Sequence, residues 1–308
     1  MARKMKNTLI VVVTLVLVIA AFLVGRSSAS ASAGDKSTTT PTVTTFSAFY
    51  LDVGASESLG FQPTGISGHN GQRTNTGYAN DLILREALKG VALSLDQVGC
   101  PGDTVQSILD TSESDACYHA PQTQLTKAVA YLKDQTGPGL VTVDLGFNDV
   151  RTCLQDNPVN QACFAAGLSA IQTDLPTILT QLKAAAGPDV HFVGVEYSDP
   201  YLGFYLDGAG GPARATATLE AMDQVDALLG QIYTTAGVAV ADVPSLFQMD
   251  NNTTTTLDNV GTVPVNVQQA CTLTWYCYPK PFGPDDHPNE AGYSLIAQAI
   301  EAVLPSSW

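Results

Sequence analysis

The chain has 308 residues, with 14 basic against 29 acidic side chains and a formal net charge of −15. A surface this acidic repels the phosphate backbone of nucleic acid and the headgroups of anionic lipid, which excludes a nucleic-acid partner. Charged residues make up only 14% of the chain, which suits a soluble exported protein and leaves the substrate unspecified.

At the N-terminus, Arg3, Lys4 and Lys6 precede an apolar run from Thr8 to Val24, followed by "SSASASAG". A positive start, an apolar middle and an Ala-x-Ala end predict a secretory signal peptide over 1–33, cleaved after Ala33 or Ala31. The alternative is an uncleaved anchor, since the apolar run is almost long enough to span a bilayer. The polar segment "GDKSTTTPTVTT" (34–45) reads as a disordered Thr/Pro-rich linker. Residues 46–308 are then long enough for one domain with a real core. No later stretch reads as long and apolar enough to cross a membrane.

The periodicities beyond residue 45 alternate. Phe46–Val53 is an apolar, strand-forming run, and Leu82, Leu84 and Leu88 predict a helix over 80–90 ending at Gly90. Residues 91–99 read as a strand. Leu125, Ala128, Val129 and Leu132 lie at helical spacing, and "GPG" stops that helix. "LVTVDLG" (140–146) is a buried strand. Phe164, Leu168, Ile171, Leu175, Ile178 and Leu182 mark a long helix that Pro176 would kink.

Residues 190–197 form the next strand. Leu219, Met222, Val225, Leu229 and Ile232 line a helix, residues 238–243 a strand, and Ala291, Leu295, Ala299 and Val303 a closing helix. Residues 250–271 show no helical period and read as a loop, a candidate flap over the site. Strands separated by helices predict βαβ crossovers: a three-layer α/β/α fold with a mostly parallel, five-stranded, flavodoxin-like sheet.

The six cysteines fall into near-neighbour pairs, and short loop closure favours Cys100–Cys117, Cys153–Cys163 and Cys271–Cys277 as disulfides in an exported chain. None of these pairs has C-x2-C spacing and no histidine flanks them at ligand distance, which argues against a zinc site.

Folds of this class place their chemistry outside the carboxyl ends of the strands. After the first strand comes Gly54-Ala55-Ser56, after the second "PGDT" (101–104), after the third "GFND" (146–149), and "PDDHPNEAGY" (284–293) precedes the last helix. Singly, each is commonplace. Together they supply a nucleophile, a base and donors for an oxyanion, the requirements of acyl transfer. Of the four histidines, His191 lies in a strand, His69 and His119 lie in loops without an acidic neighbour, and His287 directly follows Asp285 and Asp286. Of the two serines near Gly54, Ser56 sits at the strand end, while Ser58 reads as a turn-forming residue.

These blocks resemble the SGNH hydrolases, also called the GDSL esterase/lipase family, over residues 46–305. The resemblance implies an SGNH hydrolase fold. Ser56 would attack an ester carbonyl, and His287 would take the proton and return it to the leaving alcohol. The backbone N–H groups of Ser56 and Gly102 and the amide of Asn148 would form the oxyanion hole. No metal and no organic cofactor would be required. The three cysteine pairs look like exported actinobacterial members.

Two positions depart from the family pattern. Ala55 stands where the family has the aspartate of Gly-Asp-Ser, which predicts altered geometry or rate at Ser56. The family's Asp-x-x-His would put an acid at 284, which is Pro284. Asp285 is the favoured orienter of His287, because residues two apart in an extended loop share a side. Asp286 and a main-chain carbonyl remain the other options. The function expected is a secreted serine esterase acting on lipid, short-chain or acetylated-sugar esters. The alternative is a catalytically impaired hydrolase-fold module that binds glycan or lipid at the cell surface. A phosphate-binding flavodoxin-like protein fits poorly, since no Gly-rich cradle with lysine follows the first strand.

Overall fold

The computed structural model describes residues 46–66 and 71–306. The predicted signal peptide, the linker and His69 lie outside the described residues.

Five parallel strands form the sheet: β1 (Phe46–Gly54), β2 (Val91–Gln97), β3 (Gly139–Asp144), β4 (Val190–Val195) and β5 (Ala239–Ala241), in the order β2-β1-β3-β4-β5. Helices α1 (Tyr78–Leu88), α2 (Gln124–Asp134), α3 (Phe147–Gln155), α4 (Gln161–Ala185), α5 (Gly211–Thr235) and α6 (Val243–Leu246) follow the strands. A two-stranded hairpin, β6 (Thr254–Leu257) with β7 (Gly261–Pro264), then leads into α7 (Val265–Leu273) and α8 (Glu290–Val303). Helices α1 and α8 pack together, and α2 and α5 pack on α4. A central parallel sheet must bury both faces. Accordingly Tyr50, Leu51, Val53, Leu140, Val141 and Val143 of β1 and β3 are fully buried, each large aliphatic contributing roughly 1.5–3 kcal/mol over its exposed state.

The winding sets the site. From β1 the chain crosses to β2 on one side, then returns past β1 to β3 on the other. Their outgoing loops diverge, opening a crevice at their carboxyl ends. Gly54 pairs with Asp144 at this edge, so Ser56 and the 146–149 block start from adjacent strand ends.

Several segments differ from the sequence expectation. Residues 250–271 are not a loop but the β6–β7 hairpin and most of α7. This Thr-, Asn- and Val-rich stretch has weak helix propensity; burial of Val267, Ala270, Cys271 and Leu273 against the body accompanies α7. Residues 200–206 form a 3-10 turn, and α3 starts directly after Gly146. Helix α4 is, by length and composition, apolar enough to cross a membrane, which corrects the expectation of no such stretch. Here it buries Phe164, Ile171, Leu175, Ile178 and Leu182 and continues through Pro176. All six cysteines are paired, as 100–117, 153–163 and 271–277.

Candidate active site

Beyond β1 the backbone closes a tight turn. The Ser56 carbonyl accepts the N–H groups of Leu59 at 3.2 Å and Phe61 at 3.1 Å. Ser58 is buried and donates its hydroxyl to the Ala55 carbonyl at 2.7 Å. A Cβ at Gly99 would meet the Ser58 Oγ at 2.2 Å, so only glycine lets the two loops pack together. Ser58 is therefore committed to the turn, while Ser56 is half-exposed and lines a cavity.

The loop after β2 carries Gly102 with φ +90°, a left-handed conformation that favours glycine. Three contacts tie this loop to the neighbouring elements. Asn148 Nδ2 donates to the Asp103 carbonyl at 3.0 Å, the Val105 N–H donates to Asp149 Oδ2 at 3.2 Å, and Gln124 Nε2 donates to Asp103 Oδ2 at 2.6 Å. Burial pushes the Asp149 carboxyl up to about 7, against the Val105 hydrogen bond. Burial likewise raises Asp103 to about 6, opposed by the hydrogen bonds from Ser107 and Gln124. The Cys100–Cys117 bridge anchors the start of the same loop.

The histidine loop is pinned from below. The Trp275 N–H donates to the His287 carbonyl at 3.0 Å, and Asn289 caps α8 while its Nδ2 donates to the Thr272 carbonyl at 2.7 Å. Asp285 Oδ1 accepts the His287 backbone N–H at 3.0 Å and lies 2.7 Å from its Nδ1. The carboxylate thus reaches two residues forward in an Asx-type turn and meets the ring as well. Such a bond puts the ring proton on Nδ1 and leaves Nε2 as the free base.

Asp286 is engaged elsewhere. Its nearest oxygen is 3.8 Å from His287 Nδ1. Its carboxylate accepts Arg151 Nε and Nη2 and, at 2.8 Å, the Tyr201 hydroxyl. Burial pushes this carboxyl up, but His287 and Arg151 outweigh it and hold Asp286 below its ordinary value. Phe61 packs its ring 5.3 Å from that of His287.

One cavity of about 650 Å³ takes in Ser56, Gly102, Asn148, Asp285 and His287, with Arg151, Arg214, Phe204 and Tyr276 among its other walls. The predicted site residues therefore converge. His119 and His191 do not line this cavity. Sequence reasoning missed Gln124, Tyr201, Arg151 and Arg214. Gln124 and Arg214 lie inside helices with no motif around them. Tyr201 ends "YSDPY" (197–201), the block after the fourth strand, and Arg151 lies two residues after "GFND", so both had a signal nearby.

The GDSL-like lipase/acylhydrolase family model matches residues 54–295. The fold is similar to an extracellular lipase from Streptomyces rimosus, with 19% identity and a TM-score of 0.55 over 83% of this chain and 100% of that one. A phospholipase A1 from Streptomyces albidoflavus is similar at 20% identity and a TM-score of 0.53, over 83% and 99% of the two chains. A variant of an acetyl xylan esterase from Geobacillus stearothermophilus matches at 17% identity and a TM-score of 0.50, over 84% and 95%. No curated protein sequence matches. With the parallel five-stranded sheet and a family match over most of its length, the chain belongs to the GDSL-like lipase/acylhydrolase family, the SGNH-type carboxylic ester hydrolases.

Proposed function

We propose that this hydrolase is an exported serine esterase in which Ser56 attacks the ester carbonyl and His287 relays the proton. Asp285 holds the imidazole. The N–H groups of Ser56 and Gly102 and the Asn148 amide stabilise the oxyanion, and no metal or cofactor takes part. The observation that carries this reading is the 2.7 Å contact of Asp285 Oδ1 with His287 Nδ1, in the cavity that Ser56, Gly102 and Asn148 also line. The Asn148 Nδ2 bond to the Asp103 carbonyl uses one of two amide hydrogens, which leaves the other for an oxyanion.

The mature domain is read as 46–308, after a signal peptide over 1–33 and a linker over 34–45. Three disulfides favour an oxidising compartment, and the similar Streptomyces lipase is extracellular. The substrates are small-molecule or lipid esters; the similar proteins named above include a lipase, a phospholipase A1 and an acetyl xylan esterase.

The test is hydrolysis of 4-nitrophenyl butyrate together with labelling by a fluorophosphonate and peptide mapping. The label should fall on Ser56, and Ser56→Ala should abolish both signals. Equal hydrolysis by wild type and Ser56→Ala would sink the assignment. Saturable glycan or lipid binding with neither signal would favour the non-catalytic module.

A further inference from the structure

We propose that the cleft is built for an ester bearing an anionic group, a carboxylate or a phosphate, which Arg214 grips with Arg151 beside it. This inference rests on the hydrolase reading and narrows its substrate class.

The charge pattern motivates it. The chain carries 14 basic residues and a net charge of −15, yet two arginines line the same cavity as Ser56 and His287. The acidic residues of that cavity are already committed. Asp285 serves His287, and Asp286 serves Arg151 and Tyr201. Arg151 faces Asp286 through Nε and Nη2, which leaves Nη1 outside the pair. Its side chain is 41% exposed, against 5% for that of Asp286, so the guanidinium fronts the cleft and the carboxylate lies behind it.

Arg214 is the less satisfied of the two. Its guanidinium carbon lies 3.2 Å from the centroid of the Phe204 ring, and Nη2 donates to the Gln155 carbonyl at 2.6 Å. These contacts fix the fork in place. Its counter-ion is Asp207, at 3.3 Å with a side chain 57% exposed, a pair that solvent screens. Its Nε is buried and has no hydrogen-bond partner among the described residues. A buried donor on a charged group left without an acceptor is costly. The bonds to Asp207 and to the Gln155 carbonyl use one hydrogen each on Nη1 and Nη2, which leaves one on each terminal nitrogen for an oxyanion in the cavity that Arg214 lines, and the planar fork suits carboxylate or phosphate better than a hydroxyl.

The experiment uses two matched ester pairs. Mono-4-nitrophenyl succinate against 4-nitrophenyl butyrate places a carboxylate on the acyl side. Monobutyrylglycerol 3-phosphate against monobutyrylglycerol places a phosphate on the alcohol side. In the wild type, one pair should favour the anionic ester in kcat/KM by about tenfold or more, through KM. The pair that does so identifies the anion and its side of the ester. The ratio of anionic to neutral kcat/KM should collapse in Arg214→Gln, stay intermediate in Arg214→Lys, and shrink in the wild type as salt rises. The salt dependence decides the matter if Arg214→Gln does not fold.

A wild-type ratio at or below one for both pairs overturns the inference while leaving the esterase intact. So does a ratio unchanged in Arg214→Gln, which would make the arginine a structural tie between Phe204 and Gln155. Failure to hydrolyse any of the four esters, or hydrolysis undiminished by Ser56→Ala, overturns the hydrolase reading itself and this inference with it.

Discussion

Gln124 holds Gly54 by both of its backbone polar groups. Its Oε1 accepts the Gly54 N–H at 2.8 Å and its Nε2 donates to the Gly54 carbonyl at 2.9 Å. The same Nε2 reaches Asp103, so one buried amide ties the end of the serine strand to the loop of Gly102. Ala55 has no carboxylate with which to order this turn, and Gln124 supplies an ordering contact from α2.

Replacing that amide should therefore disturb chemistry more than binding. Gln124→Leu orphans the Gly54 N–H, at a cost of about 1–3 kcal/mol in stability. It should lower kcat by about tenfold or more, with KM little changed. Gln124→Glu sets a second carboxyl against Asp103, which burial already raises to about 6. The two can share one proton at low pH and repel at high pH. The kcat of this variant should fall between pH 5 and pH 8 relative to wild type; parallel pH profiles would show that Gln124 does not position Ser56.

Removing the Asn148 amide should cost roughly 10²–10³ in kcat at nearly constant KM. Steady-state kinetics of Asn148→Ala on 4-nitrophenyl butyrate checks this. A rise in KM alone would assign Asn148 to ground-state binding instead.

The two adjacent aspartates should separate by phenotype. Asp285→Asn removes the carboxylate at His287 Nδ1, and kcat should drop by a factor on the order of 10²–10⁴ as the favoured tautomer is lost. Asp286→Asn instead weakens a pair whose arginine is 41% exposed. A stability loss of about 1–3 kcal/mol is expected, below the range for a fully buried pair. Denaturant titration alongside kinetics distinguishes them, and the reverse assignment would show as a larger kcat loss in Asp286→Asn.

Stability should rise as pH falls from 8 to about 5. Burial raises the carboxyls of Asp52, Asp149 and Asp199 to about 7 from an ordinary 3.8. Between those values the folded state binds more protons than the unfolded chain. Its stability is therefore greatest on the acid side and is lost as pH climbs through about 7. Below about 4 the lowered carboxyl of Asp286 reverses the trend. Thermal unfolding midpoints across pH 4–8 test this, and a midpoint climbing steadily from pH 5 to pH 8 would contradict it.

Much of the architecture was legible in the sequence because it is written in local periods. Alternating apolar strand runs and helical stripes marked all five sheet strands and five of the helices around them, α1, α2, α4, α5 and α8. The "GFND" block marked the end of the third strand and "DHPN" the approach to the last helix. The 250–271 segment was misread because its Thr- and Asn-rich composition hides a hairpin and a helix that burial holds together. Helix α3 was missed because "GFND" reads equally as a turn or a cap.

The sequence by itself determined the βαβ order and the candidate chemistry, since both rest on residue types and short spacings. Only the tertiary structure decided which carboxylate meets His287. Asp285 and Asp286 are chemically alike, and the choice depends on Arg151 and Tyr201 drawing Asp286 away. It also brought Gln124 to Gly54, 70 positions earlier in the chain. Crossovers of a parallel sheet join residues that no local pattern relates, so such contacts exist only once the sheet has formed.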